Sequence, residues 1–162
     1  MGSPGTRRLA QDSLLGLAVG DALGAGSEGN SMLPTPIRDL TPPPGVVVRW
    51  TDDTQMAVSV VENLLEHGEI DQDRLAEAFA RRYEGHRGYG AGMHELLNRL
   101  REGADWREAR FGTFPDGSFG NGSAMRVAPL GASLADTPVG TVVEQAARSA
   151  VVTHAHPQGV AG

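Results

Sequence analysis

The chain has 162 residues, 40% of them hydrophobic, no cysteine and a formal charge of −6. That length suits one domain burying roughly 70% of its unfolded surface, and the hydrophobic share excludes a disordered chain. The charge argues against the cationic footprint of a nucleic-acid binder, and the lack of cysteine excludes disulfides and thiolate metal sites.

No apolar run approaches the roughly 18 residues of a membrane span. The N-terminus lacks the apolar core and cleavage pattern of a signal peptide, so the cytoplasm is the expected compartment. Residues 1–6 read as a disordered arm or tag remnant. From Arg7 to Leu23, the positions Leu9, Leu14, Leu17, Ala18 and Ala22 trace a helix. Gly16, Gly20 and Gly24 recur every four residues on it, a spacing that lets another backbone approach. Asp21 on this helix is read as a structural hydrogen-bonding group, because a polar residue facing a core needs a partner. Residues 30 to 49 hold Pro34, Pro36 and Pro42 to Pro44, which predicts an irregular connection.

Trp50-Thr51-Asp52-Asp53-Thr54 then opens a helix whose buried face is Met56, Ala57, Val60, Val61, Leu64 and Leu65. Gly68 is the stop and Asp71 the next N-cap, followed by a helix through Leu75, Ala78, Phe79 and Arg82. Gly85 to Gly92 breaks the pattern, and Met93, Leu96, Leu97 and Leu100 mark another helix ending at Gly103. Val139 to Val152 carries an apolar stripe of Val142, Val143, Ala146, Ala147, Ala150 and Val151. About six helices without a strand period predict an all-α fold in one domain, residues 1–162.

Three stretches carry candidate chemistry. Thr51 or Asp52 suits an N-cap, its side-chain oxygen accepting an orphaned backbone N–H. Two adjacent carboxylates between two threonines equally suit a hard divalent cation. Gly117-Ser118-Phe119-Gly120-Asn121-Gly122-Ser123 precedes a helix expected to open at about Ser123. Convergent N–H groups there suit an anion, although taken alone the stretch reads as an ordinary glycine-rich turn. No Walker lysine follows it. Thr153-His154-Ala155-His156 lacks a third local zinc ligand, so these histidines read as capping or hydrogen-bonding groups.

In order along the chain, Gly20-Asp21-Ala22-Leu23-Gly24 with Glu28, Trp50 to Met56, Gly88-Tyr89-Gly90, Gly120 to Arg126 and Thr153-His154 resemble the ADP-ribosylglycohydrolase family. The resemblance runs from about Leu14 to the last residue. It implies a compact all-α fold and a magnesium-dependent hydrolase with two Mg²⁺ ions, or Mn²⁺ in their place. The reaction it implies is cleavage of the glycosidic bond between ADP-ribose and a protein side chain or small molecule. Thr51, Asp52 and Asp53 match the metal ligands, and Glu28 matches an acidic residue on a loop over the site. Glu28, Asp52 and Asp53 are the candidate catalytic carboxylates. Gly88, Tyr89, Gly117 to Ser123, Met125 and His154 match substrate-binding positions.

The chain departs from the pattern in two places. Gly26 and Ser27 stand where many relatives have a proline. The family's downstream Asp-x-Asp-Thr cluster has no counterpart before Gly162, so the domain reads as partial. The alternative is therefore a non-catalytic binding or crystallin-like member that lacks those ligands. The expected partners are an ADP-ribosylated substrate and either a second copy or a companion C-terminal segment, with neither nucleic acid nor membrane.

Overall fold

The computed structural model describes residues 4–27 and 44–161. Among them the secondary structure is entirely helical, as the sequence pattern predicts. The elements are α1 (Pro4–Gly24) with a 3₁₀ turn (Ala25–Ser27), α2 (Asp52–His67), α3 (Gln72–Arg82), α4 (Ala91–Arg101) and α5 (Trp106–Ala109). They continue as α6 (Ala128–Ser133), α7 (Val139–Ala150) and α8 (Pro157–Ala161). Val46 to Val48 pair with no strand among the described residues. Of these, α1 is long enough to span a membrane but not apolar enough, and no other described helix qualifies.

Helix α2 is the central element. Met56, Ala57, Val60 and Leu64 are buried, and around them gather Ile70, Leu75, Phe79, Tyr83, Leu97, Trp106, Leu130 and Val152. Burying such side chains contributes roughly 1.5–3 kcal/mol each. Leu65 falls off the expected face and is half exposed, because a turn of 3.6 residues carries it past the contact with the neighbouring helices. Helix α2 stops at Gly68, whose φ of 78° puts it in the left-handed region, and its N–H bonds Leu64 O. Asp71 caps α3 by accepting from Arg74 N at 3.0 Å, as expected.

Three sequence expectations are corrected. The glycine face of α1 receives no neighbour among the described residues: a Cβ at Gly16, Gly20 or Gly24 would meet nothing within 4 Å. The stripe on α7 is displaced, so that Val143 is exposed while Gln145 and Ser149 are buried beside Ala150. Gln145 holds its place because its Oε1 accepts Ile70 N at 2.6 Å, a polar contact that hydropathy does not register. No regular helix opens at Ser123. Residues 121–127 form successive turns, with one α-type bond from Met125 N to Asn121 O, and α6 begins only at Ala128 beside Pro129.

Candidate active site

The start of α2 is held by α1 rather than by its own side chains. Thr51 occupies the N-cap position but makes no side-chain capping bond. Asp21 of α1 does the capping from 30 residues away. Its carboxylate accepts the Thr51 amide at 2.8 Å and hydroxyl at 2.7 Å, and the Thr54 amide at 3.2 Å and hydroxyl at 2.5 Å. The Thr54 N–H is one of the orphan donors of a helix start, and an anion there also meets the positive end of the helix dipole. Asp21 therefore has the structural role expected of it, and the sequence expectation that Thr51 or Asp52 caps is corrected.

The turn is braced on its other side by residues 84–89. Asp52 N donates to Arg87 O at 2.8 Å, and Arg87 reaches back to Trp50 O at 3.2 Å with its guanidinium 3.4 Å from the Trp50 ring centroid. Gly88, at φ 93°, lies so close that a Cβ would stand 3.4 Å from Asp52 Oδ1. Tyr89 donates its hydroxyl to Gln55 Oε1 at 2.6 Å, and burial raises its pKa. Asp53 is half buried. Desolvation raises its carboxyl pKa, the neighbouring Asp21 charge adds to this, and the Thr51 hydroxyl 3.1 Å away opposes it.

A cavity of about 410 Å³ opens beside this turn. Of the residues singled out in the sequence, Asp52, Ser118, Phe119, Gly120, Asn121, Gly122, Met125 and His154 line it. Thr51, Asp53, Gly88, Tyr89, Gly117 and Ser123 do not line it. Glu28 lies outside the described residues. Gly117, at φ 85°, packs against the Ala155–His156 backbone so closely that a Cβ there would overlap it. Ser123 donates to Gly159 O, and a Cβ on Gly159 would come within 2.5 Å of Ser118 O. Gly117 thus lets the loop lie against the Ala155–His156 backbone, and Gly159 lets α8 lie against the backbone of Ser118 and Phe119.

The opposite wall was not legible in the sequence. It consists of Gly92, Met93 and Leu96 from α4 with Arg110, Thr113 and Phe114 from the loop after α5. In the sequence Gly92 only ends a break in the apolar pattern, yet a Cβ there would meet the Phe114 ring at 2.6 Å. Its signal is steric and needs the tertiary contact to be seen.

His154 is fully buried at the end of α7, its N–H bonded to Ala150 O at 2.9 Å. Burial, helped by the Arg126 cation, pushes its pKa down to about 4, so the ring is neutral at physiological pH. Arg126 is also fully buried and is pushed down to about 9 by desolvation. Its Nη2 donates to Ser149 O at 3.0 Å and to Thr153 Oγ1 at 2.9 Å.

The donor chemistry at the α2 turn is oxygen only: Asp52, Asp53 and Thr51. That suits a hard divalent cation. Among the described residues no group of three or more His, Asp or Glu side chains could hold a metal ion. The turn by itself offers two carboxylates and a hydroxyl, which would make only part of the shell of such an ion.

The ADP-ribosylglycohydrolase profile matches residues 3–162. The chain is similar to ADP-ribosylhydrolase ARH3 of Gallus gallus, at 37% identity over 169 residues, covering 92% of this chain and 46% of that protein. The ARH3 of Homo sapiens is 36% identical, covering 92% and 45%. The ADP-ribosylarginine hydrolase Tri1 of Pseudomonas putida strain GB-1 is 31% identical over 132 residues, covering 74% and 34%. A solved structure described as an ADP-ribosylglycohydrolase-related protein complex superposes with a TM-score of 0.67 at 29% identity, covering 98% of this chain and 53% of that one. The chain spans about half the length of the ARH3 relatives it matches. By sequence and fold, this chain belongs to the ADP-ribosylglycohydrolase family.

Proposed function

We propose that the chain builds the substrate cavity and one carboxylate cluster of an ADP-ribosyl hydrolase that uses Mg²⁺, or Mn²⁺, held in part by Thr51, Asp52 and Asp53. The observation that carries this reading is the convergence of Asp52, the Gly120–Gly122 loop and His154 on one cavity. A volume of about 410 Å³ falls within the range of small-molecule sites. Backbone N–H groups of the glycine loop receive the diphosphate, and the apolar side of the cavity, with Met93, Phe114 and Phe119, excludes water from the bound ligand. Asp52 stands at the cavity wall, where a carboxylate offsets the positive charge of an oxocarbenium-like transition state or accepts a proton from water. Asp53 and Glu28 remain the other candidates for that proton. When bound, the cation polarises hydroxyl and water oxygens.

One observation favours a second reading, in which the chain binds ADP-ribose without hydrolysing it. Two carboxylates and a hydroxyl hold Mg²⁺ weakly, because the ion keeps most of its waters. The test is calorimetry with ADP-ribose, ADP and AMP, followed by an assay for release of ADP-ribose from modified arginine and serine peptides. Gly120→Val is the control variant. A Cβ at Gly120 meets only Ser118 Oγ, at 3.5 Å, so valine there intrudes on the cavity rather than on the core. ADP-ribose binding that Gly120→Val abolishes supports the cavity, and binding it leaves unchanged refutes it. Binding without release, corrected by adding a segment bearing Asp-x-Asp-Thr, selects the second reading for the chain alone.

A further inference from the structure

A buried arginine without a carboxylate is costly, since desolvating its charge is offset only by the hydrogen bonds and aromatic contacts it finds. Arg126 is in that position. No ion pair to it exists among the described residues, its Nε has no partner, and its guanidinium lies 4.7 Å from the Phe79 ring centroid. Binding Ser149 O accounts for one of its donors as a cap on α7. The contact with Thr153 Oγ1 has a further consequence, because that oxygen is also 2.7 Å from His154 Nδ1.

Proton counting settles the direction of the chain of bonds. Arginine only donates, so Thr153 Oγ1 accepts at its Arg126 contact. The hydroxyl has one proton, and its two possible acceptors are His154 Nδ1 at 2.7 Å and Ala150 O at 3.5 Å. The shorter contact takes it, which makes Nδ1 an acceptor and places the ring proton on Nε2. For the ring to carry a proton on Nδ1, the threonine proton would have to move to the 3.5 Å contact, which is at the limit of a hydrogen bond. The nearby Arg126 cation opposes a charged ring as well.

Nε2 is turned toward the glycine loop. A Cβ on Gly122 would stand 3.3 Å from Nε2 and 2.9 Å from Cε1, and among the described residues Nδ1 is the ring nitrogen with a hydrogen-bond partner. We infer that Arg126, acting through Thr153, is a positioning residue that fixes His154 as the uncharged Nε2–H tautomer, so that the ring offers a permanent donor to an anionic oxygen of a ligand seated at Gly120–Gly122. The tautomer stands on the geometry alone. Only the identity of the anionic ligand, a nucleoside diphosphate, rests on the proposed function.

The experiment is NMR of the full chain with isotope-labelled histidine, using long-range nitrogen–proton correlations that distinguish the two tautomers. The His154 signals are identified by their absence in His154→Gln. The ligand-free wild type is expected to show the Nε2–H form alone. An Nδ1–H form, or a fast-exchanging mixture, overturns the inference without recourse to any variant. Thr153→Val removes the hydroxyl and should release the preference, while Thr153→Ser should restore it; a tautomer indifferent to both also overturns it. In Arg126→Met the ring should titrate at higher pH than in the wild type, and an unchanged midpoint removes Arg126 from the device. ADP-ribose should shift the Nε2–H resonance, and a calorimetrically saturated sample with an unmoved ring refutes the donor role. Absence of any binding by calorimetry counts against the proposed function, while the tautomer result is read independently.

Discussion

Removing the Asp21 carboxylate should unfasten the start of α2 from α1. In Asp21→Ala two backbone amides and two hydroxyls lose their charged acceptor. Hydrogen bonds to a charged group are worth roughly 1.5–3 kcal/mol each and loss of an N-cap about 1 kcal/mol, but the four share one carboxylate and do not add. The hydroxyls can also turn to other acceptors, as Thr51 can toward Asp53 Oδ2 at 3.1 Å. The two amides cannot, and they set the loss at about 3 kcal/mol. For a chain of this size that lowers Tm by roughly 6–12 °C. The assay is urea unfolding followed by circular dichroism, with Asp21→Asn expected to lose about half as much because one acceptor oxygen survives. Asp12→Ala on the same helix is the control. Its partner Arg8 is 3.8 Å away and both side chains are exposed, so the change should stay within about 0.5 kcal/mol. A double-mutant cycle with Thr54→Val should show coupling between the two positions. A loss in Asp21→Ala no larger than in Asp12→Ala would refute α1 as the cap of α2.

Two further outcomes follow from the buried titratable groups. The folded pKa of His154 is about 4 against 6.5 for the unfolded ring, so between these values the unfolded chain binds the extra proton and stability falls as the pH drops. The loss should reach about 3 kcal/mol across that window, and His154→Gln should flatten this part of the profile; identical profiles from urea melts at pH 7 and pH 4.5 would contradict it. Asp53 has the opposite sign: its raised carboxyl pKa means that ionisation in the fold costs stability as pH rises past the unfolded value. Asp53→Asn should therefore leave metal-free stability unchanged or slightly higher while abolishing any rise in Tm caused by Mg²⁺, and a large metal-free loss in thermal melts would mark the residue as structural.

The sequence by itself determined the helical class, the stops and caps that depend on neighbours in the chain, and the family. Gly68 ends α2 and Asp71 caps α3 because those bonds close within four residues, a range that local spacing encodes. The order of the motifs was legible for the same reason: it is a property of the chain and not of its packing. Which motif residues face the cavity was not legible. Gly120, Gly122 and His154 line the cavity, whereas in the same stretch Gly117 packs on Ala155–His156 and Ser123 bonds Gly159 of α8.

Only the tertiary structure decided how α2 begins. Asp21 and Thr54 are 33 residues apart, and no local pattern reveals that a carboxylate from another helix takes the place of the N-cap side chain. The far wall of the cavity, the displaced face of α7 and the Arg126–Thr153–His154 chain share that origin. Each depends on a polar or steric contact between distant residues, whereas periodicity reports only how often an apolar side chain recurs. A buried arginine looks the same as an exposed one until the helices close around it, and its charge then governs the histidine at the cavity wall.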